Sequence, residues 1–574
     1  MLVYMRDYVK ESILGPLFKL FEATLELIVP LIIASIIDKG INAATPDSSY
    51  VVKMGLLLLL LGAVGLAFSI TAQYFAAKAS VGYVTKLRFA LFSHIQTLSY
   101  SELDKLGTNT IITRMTSDTN QIQSGLNLGL RLLLRSPFVV FGAMVMAFTI
   151  DTKSALTFVV AIALLSIVVF GIMLISIPLY KKVQSRLDGV LGKTRENLAG
   201  ARVIRAFCKE DAEKEEFGRR NESLTSVQKY VGKISSLMNP LTYVIINLAI
   251  LWLIYTGAVE VKAGNLTQGQ VVALYNYMSQ ILVELIKLAN LIITITKAVA
   301  SGARVNSVFD ITSSLSAGDV TEGESSDIAV EFSDVSLKYA TSSETSLSGI
   351  TFKARRGSTV GIIGGTGSGK TSLINLIPRF YDPTEGVVLI DGCDARLYTE
   401  SALRRAIAVV PQKAVLFKGT IRENMKLGNE NATDEEIFDA LRIAQAESVV
   451  LDKGGLDAVV EQGGKNLSGG QRQRLTIARA LVNKPSVLIL DDSASALDFA
   501  TDAKLRMAIK NMSGNTTVFI VSQRASSIMH ADTIIVLDDG EAVGIGTHED
   551  LLRTSPVYRE IYASQFSDEE VSAI

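Results

Sequence analysis

The chain has 574 residues, of which 48% are hydrophobic and 20% charged, with a formal net charge of −1 and a mean hydropathy of +0.33. That length exceeds one domain, and the mixture implies a membrane part joined to a soluble one. The charge balance argues against a nucleic-acid partner. Cys208 and Cys393 are the two cysteines, far apart and outside any CxxC spacing, and His94, His530 and His548 are scattered. A disulfide framework and a metal centre are therefore not expected.

In chain order, apolar stretches long enough to cross a bilayer occur near 13–37, 55–79, 127–150, 155–178, 238–259 and 268–296. The first carries Glu22 and Glu26, which excludes a cleavable signal peptide. The loops after the first, third and fifth spans are short and hold few cations: Lys39 and Lys53, then Lys153, then Lys262. Those after the second and fourth are long. The fourth is dense in Lys and Arg, from Lys181 and Lys182 to Arg219 and Arg220. This bias places the long loops, both termini and the C-terminal half on the cytoplasmic side.

From Leu179 to Leu237, apolar residues such as Val183, Leu187, Val190, Leu191 and Leu198 recur at helical spacing. Two helical arms of roughly 30 residues each would reach about 40 Å past the membrane. Their turning points are expected near Ile111–Asp118 and Ala206–Phe217. A solvated loop is the alternative reading.

Within the spans, Glu22, Glu26, Asn247, Asn276, Gln280, Glu284, Lys287 and Asn290 are candidates for substrate contact. Glu284 and Lys287 lie one turn apart, close enough to pair with each other. Glu22 and Glu26 share a face that would suit cationic amphiphiles. Phe21, Tyr243, Trp252, Tyr275 and Tyr277 suit a greasy cavity, or lipid and helix packing. Residues 312–327 are small and polar, as a linker is. From Ile328 strands and helices alternate with glycines at the turns, the pattern of an α/β domain. The expected division is a six-helix all-α membrane domain over 1–311, the linker 312–327, an α/β nucleotide-binding domain over 328–566 and a tail over 567–574.

Gly364-Gly365-Thr366-Gly367-Ser368-Gly369-Lys370-Thr371, then Ser372, follows the apolar run Val360–Ile363 and opens a helical one. That is the setting of a phosphate-cradling loop. Its glycines admit the α- and β-phosphates to backbone N–H groups, Lys370 reaches the β- and γ-oxygens, and the Thr371 hydroxyl ligates Mg²⁺. About a hundred residues on stands Leu467-Ser468-Gly469-Gly470-Gln471.

The two motifs in this order, behind six spans, resemble a half-transporter of the ATP-binding-cassette (ABC) exporter family with the type IV fold, and the likeness covers essentially the whole chain. The resemblance implies the rest. Tyr339 stacks on adenine, and Gln412 contacts Mg²⁺ and the arm tips. Asp491, closing the apolar strand Val487–Leu490, holds Mg²⁺ through water. Ser495 to Asp498 form the loop that crosses between two cassettes, and Glu461 faces the arm tips. Residues Leu467 to Gln471 complete the ATP site of a second cassette. ATP and Mg²⁺ are the implied ligands, and a bacterial cytoplasmic membrane is the implied location. The implied partners are a second half-transporter, the lipid bilayer and a small amphiphilic substrate.

Two positions depart from the family pattern. The hydrolytic glutamate is replaced by Asp492, whose carboxylate falls roughly 1–1.5 Å short of an attacking water, an error that costs about 10²-fold. The switch histidine is replaced by Gln523, which donates a hydrogen bond but carries no positive charge. This pair resembles the degenerate-site subunit of bacterial heterodimeric multidrug exporters. The resemblance implies slow hydrolysis here and a partner with the missing Glu and His. A homodimeric lipid or peptide exporter, and an ATP-gated subunit that does not pump, are the alternatives.

Overall fold

The computed structural model describes residues 2–566 apart from 43–45, 317, 325, 341, 494–495 and 513–514. The expected tail 567–574 and Ser495 lie outside the described residues. The chain divides into two compact units, one of residues 1–96 and 109–310, the other of 97–108 and 311–574.

The first unit is all helical, and among its described residues six helical stretches are long and apolar enough to cross a membrane. They are carried by α1 (Val9–Ser35), α2 (Ser48–Gln96), the helices within Thr108–Ile150, α7 (Thr152–Ala199), α9 with α10 (Glu210–Ser236 and Met238–Lys262) and α11 (Gln268–Phe309). With 48 residues, α7 runs roughly 72 Å, more than twice a hydrocarbon core. Its polar end and α9 form the second arm. Between them, α8 (Ala201–Ala206) and residues 207–209 turn the chain, at the start of the expected Ala206–Phe217 stretch.

The third span is interrupted. Following α4 (Thr108–Thr113), α5 (Thr119–Leu132) stops and α6 (Arg135–Ile150) starts after a turn at Leu133–Leu134. Pro137 explains the break, because its ring clashes with the carbonyl four residues back, that of Leu133, and it supplies no N–H. Small residues bring the helices together: a Cβ on Gly125 would sit 2.2 Å from the Ala298 Cβ, and one on Gly142 would sit 2.5 Å from a Leu27 methyl. The core between them holds Leu27, Val139, Phe158, Leu165, Leu253, Tyr277 and Met278.

The turn of the first arm corrects the sequence reading. The segment folded with the second unit is 97–108, containing α3 (Tyr100–Leu106), whereas Ile111–Asp118 belongs to the helical unit. Aromatic and acidic side chains decide this. Tyr100 packs on Phe380 with ring centroids 4.5 Å apart. The buried Glu102 accepts a hydrogen bond from the Ser99 hydroxyl. Burial pushes the Glu102 carboxyl up, but the hydroxyls of Ser99 and Ser314 outweigh it and hold it below its ordinary value.

The second unit is built on β1 (Ile328–Leu337), β2 (Leu347–Arg355), β3 (Thr359–Gly364), β4 (Glu385–Ile390), β5 (Ile407–Val410), β6 (Val487–Asp491), β7 (Thr517–Val521), β8 (Thr533–Asp538) and β9 (Glu541–Gly546). In the larger sheet the order is β9-β8-β3-β7-β6-β5, parallel except for the antiparallel β8–β9 edge. Its central strands are apolar runs buried throughout, such as Val487-Leu-Ile-Leu, as expected of strands covered on both faces. The register pairs Val521 with both Ile362 and Asp491. The loops after β3, β6 and β7 therefore leave the sheet at one level, the carboxyl edge where open α/β sheets bind ligands. β1, β2 and β4 form a separate antiparallel sheet together with Cys393–Asp394.

Candidate functional site

The loop after β3 wraps its own lysine. Lys370 Nζ donates to the carbonyls of Gly364 at 2.9 Å and Gly365 at 2.5 Å. Burial pushes the Lys370 ammonium below its ordinary value, against the pull of Asp491 and Asp492. Gly364 has no room for a side chain: a Cβ would lie 2.1 Å from the Leu537 carbonyl oxygen. Gly367 and Gly369 are left-handed, at φ 86° and 93°, a conformation that glycine adopts at no steric cost. Gly365, Thr366 and Gly367 are exposed while Ser368 is buried, leaving the loop backbone open on one side. α12 (Lys370–Leu376) begins directly after it.

Asp491 closes β6, 8% exposed, beside the Thr371 hydroxyl. Burial, then the neighbouring Asp492, raises its carboxyl above the ordinary range. Two carboxylates and a hydroxyl beside one ammonium form a hard-oxygen set that fits Mg²⁺ bound with a nucleotide. Asp492 has left-handed backbone, φ 42°, and its amide donates to the Val521 carbonyl at 3.0 Å. Gln412, after β5, donates from Nε2 to Asp492 Oδ2 at 3.2 Å. Lys370, Thr371, Gln412, Asp491 and Asp492 thus share one edge of the sheet.

Gln523 is exposed two residues past β7. Its loop is clamped by a residue that sequence reasoning missed. The Gln565 amide donates to the Gln523 carbonyl at 2.8 Å, and its oxygen accepts from the Ala525 N–H at 2.8 Å. Tyr339, half-buried, donates its hydroxyl to Ser372 Oγ at 3.0 Å. Its ring meets Tyr381 edge-on, centroids 5.0 Å apart at 89°.

Leu467 is buried, whereas Ser468 and Gly469 are exposed. Ser468 caps α13 (Gly469–Leu481) reciprocally with Gln471: the Gln471 N–H donates to the serine hydroxyl oxygen at 3.3 Å, and the Ser468 N–H donates to the glutamine Oε1 at 2.9 Å. A Cβ on Gly469 would meet nothing within 4 Å, while one on Gly470 would lie 3.1 Å from the Ala496 carbonyl oxygen. Asp498 caps the next helix, α14 (Phe499–Lys510), accepting from the Thr501 N–H at 2.9 Å and its hydroxyl at 2.7 Å. Glu461 is exposed.

In the helical unit the charged candidates are paired. Lys287 donates to Glu284 at 2.8 Å. Glu22 binds Lys19 at 2.5 Å, and Glu26 binds Arg135 at 2.6 Å, so the face expected to attract cations is neutralised. Arg135, which sequence reasoning passed over, also reaches Glu284 at 2.6 Å, and the Ser136 hydroxyl donates to the same carboxylate at 2.8 Å. An arginine inside an apolar span was the available signal. Tyr277 is buried and donates to the Leu27 carbonyl at 2.6 Å. Phe21, Tyr243, Trp252, Tyr275, Asn247 and Asn290 are exposed on the unit, with Asn276 and Gln280 intermediate.

The ABC transporter transmembrane region model matches residues 12–285, and the ABC transporter model matches 347–495. The uncharacterised ABC transporter ATP-binding protein YfiB of Bacillus subtilis is 36% identical over 573 residues, covering 99% of this chain and 98% of its own length. An ATP-dependent lipid A-core flippase of Desulfotalea psychrophila is 35% identical over 490 residues, 84% of each chain. Among solved structures, a bacterial Atm1-family ABC exporter with ATP bound superposes with a TM-score of 0.81 at 25% identity, covering 98% of this chain and 100% of that one. With its six membrane-crossing helices and its nucleotide-type sheet edge, the chain therefore belongs to the ABC transporters, as a multi-pass membrane protein with the exporter fold and an ATPase domain of the ATP- and Mg²⁺-binding type.

Proposed function

We propose that the chain is one half of a heterodimeric exporter of amphiphilic drugs or lipid-like compounds, holding ATP at a slow site of its own and completing its partner's hydrolytic site with Ser468 and the glycines after it. The carrying observation is Asp492. It stands where a hydrolytic carboxylate belongs and is engaged by Gln412 at 3.2 Å, yet it is one methylene shorter than glutamate. With the uncharged Gln523 beyond β7, this edge retains the groups that bind phosphate and metal and lacks a well-placed base.

In this reading Lys370, the loop amides after Gly364, Thr371 and Asp491 hold Mg·ATP, and Tyr339 stacks on its base. Ser468 and Gly469, exposed at the start of α13, reach a nucleotide held by the second cassette. Binding that needs both chains draws the cassettes together and shifts the membrane helices from inward-open to outward-open. The ATPase domain lies on the cytoplasmic side of a bacterial cytoplasmic membrane. A homodimeric lipid exporter is the second reading, favoured by a relative named a lipid A-core flippase.

Native purification with mass identification of the co-eluting subunit tests the proposal. The expected result is a second half-transporter carrying the Glu and His absent here. A chain that purifies alone and hydrolyses ATP rapidly overturns it.

A further inference from the structure

The aromatic chain running from Tyr339 to α3 is not used by the reading above. Tyr339 is pinned twice, through its hydroxyl to Ser372 at 3.0 Å and through its ring to the edge of Tyr381 at 5.0 Å. Tyr381 in turn donates its phenol to Asp104 Oδ2 at 2.6 Å. Asp104 sits in α3, the short helix of the first arm that folds with the ATPase unit. Beside it, Tyr100 packs against Phe380 at 4.5 Å and approaches Tyr381 at 6.4 Å. Burial and then the Asp104 carboxylate raise the Tyr381 phenol well above its ordinary value, so it remains a donor at all working pH.

We propose that Tyr381 is a positioning residue that couples recognition of the nucleotide base at Tyr339 to the seating of α3 through its bond to Asp104. A stacking residue contributes most when its ring is already held in place. The seated α3 holds the Tyr381 phenol, Tyr381 holds the Tyr339 edge, and Tyr339 presents its ring to the base. The linkage is reciprocal: a base on Tyr339 tightens the arm by the same factor by which the arm tightens the base. The inference rests on reading Tyr339 as the base-stacking residue. It adds that the base, not only the triphosphate, reports to the first arm.

The test is photolabelling of the full-length protein with 2-azido-ATP, read at the peptide carrying Tyr339 and competed with unlabelled ATP or inorganic tripolyphosphate. Tyr381→Phe keeps the ring and removes the donor, and Asp104→Ala removes the acceptor from an exposed residue, so neither variant threatens the fold. Each is expected to weaken competition by ATP about 5-fold or more and to leave tripolyphosphate unchanged. The double variant should be no worse than the poorer single one, as members of one chain of contacts behave. Unchanged ATP competition, equal loss for both competitors, or additive losses would overturn the coupling while leaving the site itself in place. Absence of labelling at the Tyr339 peptide in the unsubstituted protein would overturn both the coupling and the base-stacking reading.

Discussion

The side-chain amide of Gln412 donates to the Asp492 carboxylate at 3.2 Å, bridging the loops that follow β5 and β6 at the edge where Lys370 and Thr371 also lie. The Asp492 backbone is left-handed at φ 42°, a region that aspartate enters more readily than longer side chains do.

Lengthening the base is therefore expected to help only in part. Asp492→Glu should raise hydrolysis at this site by no more than about 10-fold, and Asp492→Glu with Gln523→His by about 10²-fold. Single-turnover phosphate release measured with a catalytically disabled partner distinguishes these outcomes. A double variant no faster than the natural chain would mean that Asp492 and Gln523 are not what limits hydrolysis at this site.

The glycines divide by the space around them. A Cβ on Gly469 meets nothing within 4 Å, so Gly469→Asp should fold with an unchanged Tm and retain ATP binding by this chain. Steady-state turnover of the assembled transporter should fall at least 10²-fold, because in the proposed dimer the charge would face the nucleotide of the second cassette. Gly364→Ala should instead cost about 1–3 kcal/mol of stability through its 2.1 Å clash with the Leu537 carbonyl oxygen. Paired melting and ATPase assays read both effects.

Asp491 gives a pH signature. Its folded carboxyl lies above its unfolded value because of burial and then Asp492, so the unfolded chain loses its proton first. The favourable contribution is complete below the unfolded value and is lost as pH rises through the raised one. Without nucleotide or metal, Asp491→Asn should melt higher than the natural protein near pH 7, and the difference should close by about pH 4. With Mg·ATP the order should reverse, since in the proposed site Asp491 would hold the metal. Thermal unfolding across pH, with and without Mg·ATP, checks both signs.

The membrane cluster offers a stability test. Arg135 is 7% exposed and binds Glu26 and Glu284, each at 2.6 Å. Arg135→Met leaves a buried carboxylate with fewer partners and should destabilise the protein by about 3–5 kcal/mol. Arg135→Met with Glu284→Leu should recover most of that, measured as the melting temperature in detergent. Equal melting of the single and double variants would mean that the pair is not the source of the loss.

How far the sequence could be read follows from how far apart the partners stand. Lys370, Thr371 and the glycines before them lie within eight consecutive residues, and Ser468 with Gln471 spans one helical turn, so their chemistry is written locally. The six spans were legible because a bilayer imposes length and apolarity on each segment separately. Arg135 was missed because its partners Glu26 and Glu284 are 109 and 149 positions away and because the break at Leu133–Leu134 sits inside an apolar run. The first arm was turned in the wrong place because the polar, helix-forming residues on either side of Gln96 carry no mark of which ones meet a cassette.

The sequence alone determined that this chain crosses a membrane, that its C-terminal half has a nucleotide-binding loop and signature, and that Asp492 and Gln523 depart from the pattern around them. Each of these is a property of neighbouring residues. Only the tertiary structure decided that Glu26 is neutralised by Arg135, that Gln565 clamps the loop of Gln523, and that Tyr381 bonds Asp104 across 277 positions. Contacts of that separation are chosen by packing of whole elements, and pairwise packing leaves no periodic or compositional trace in the chain.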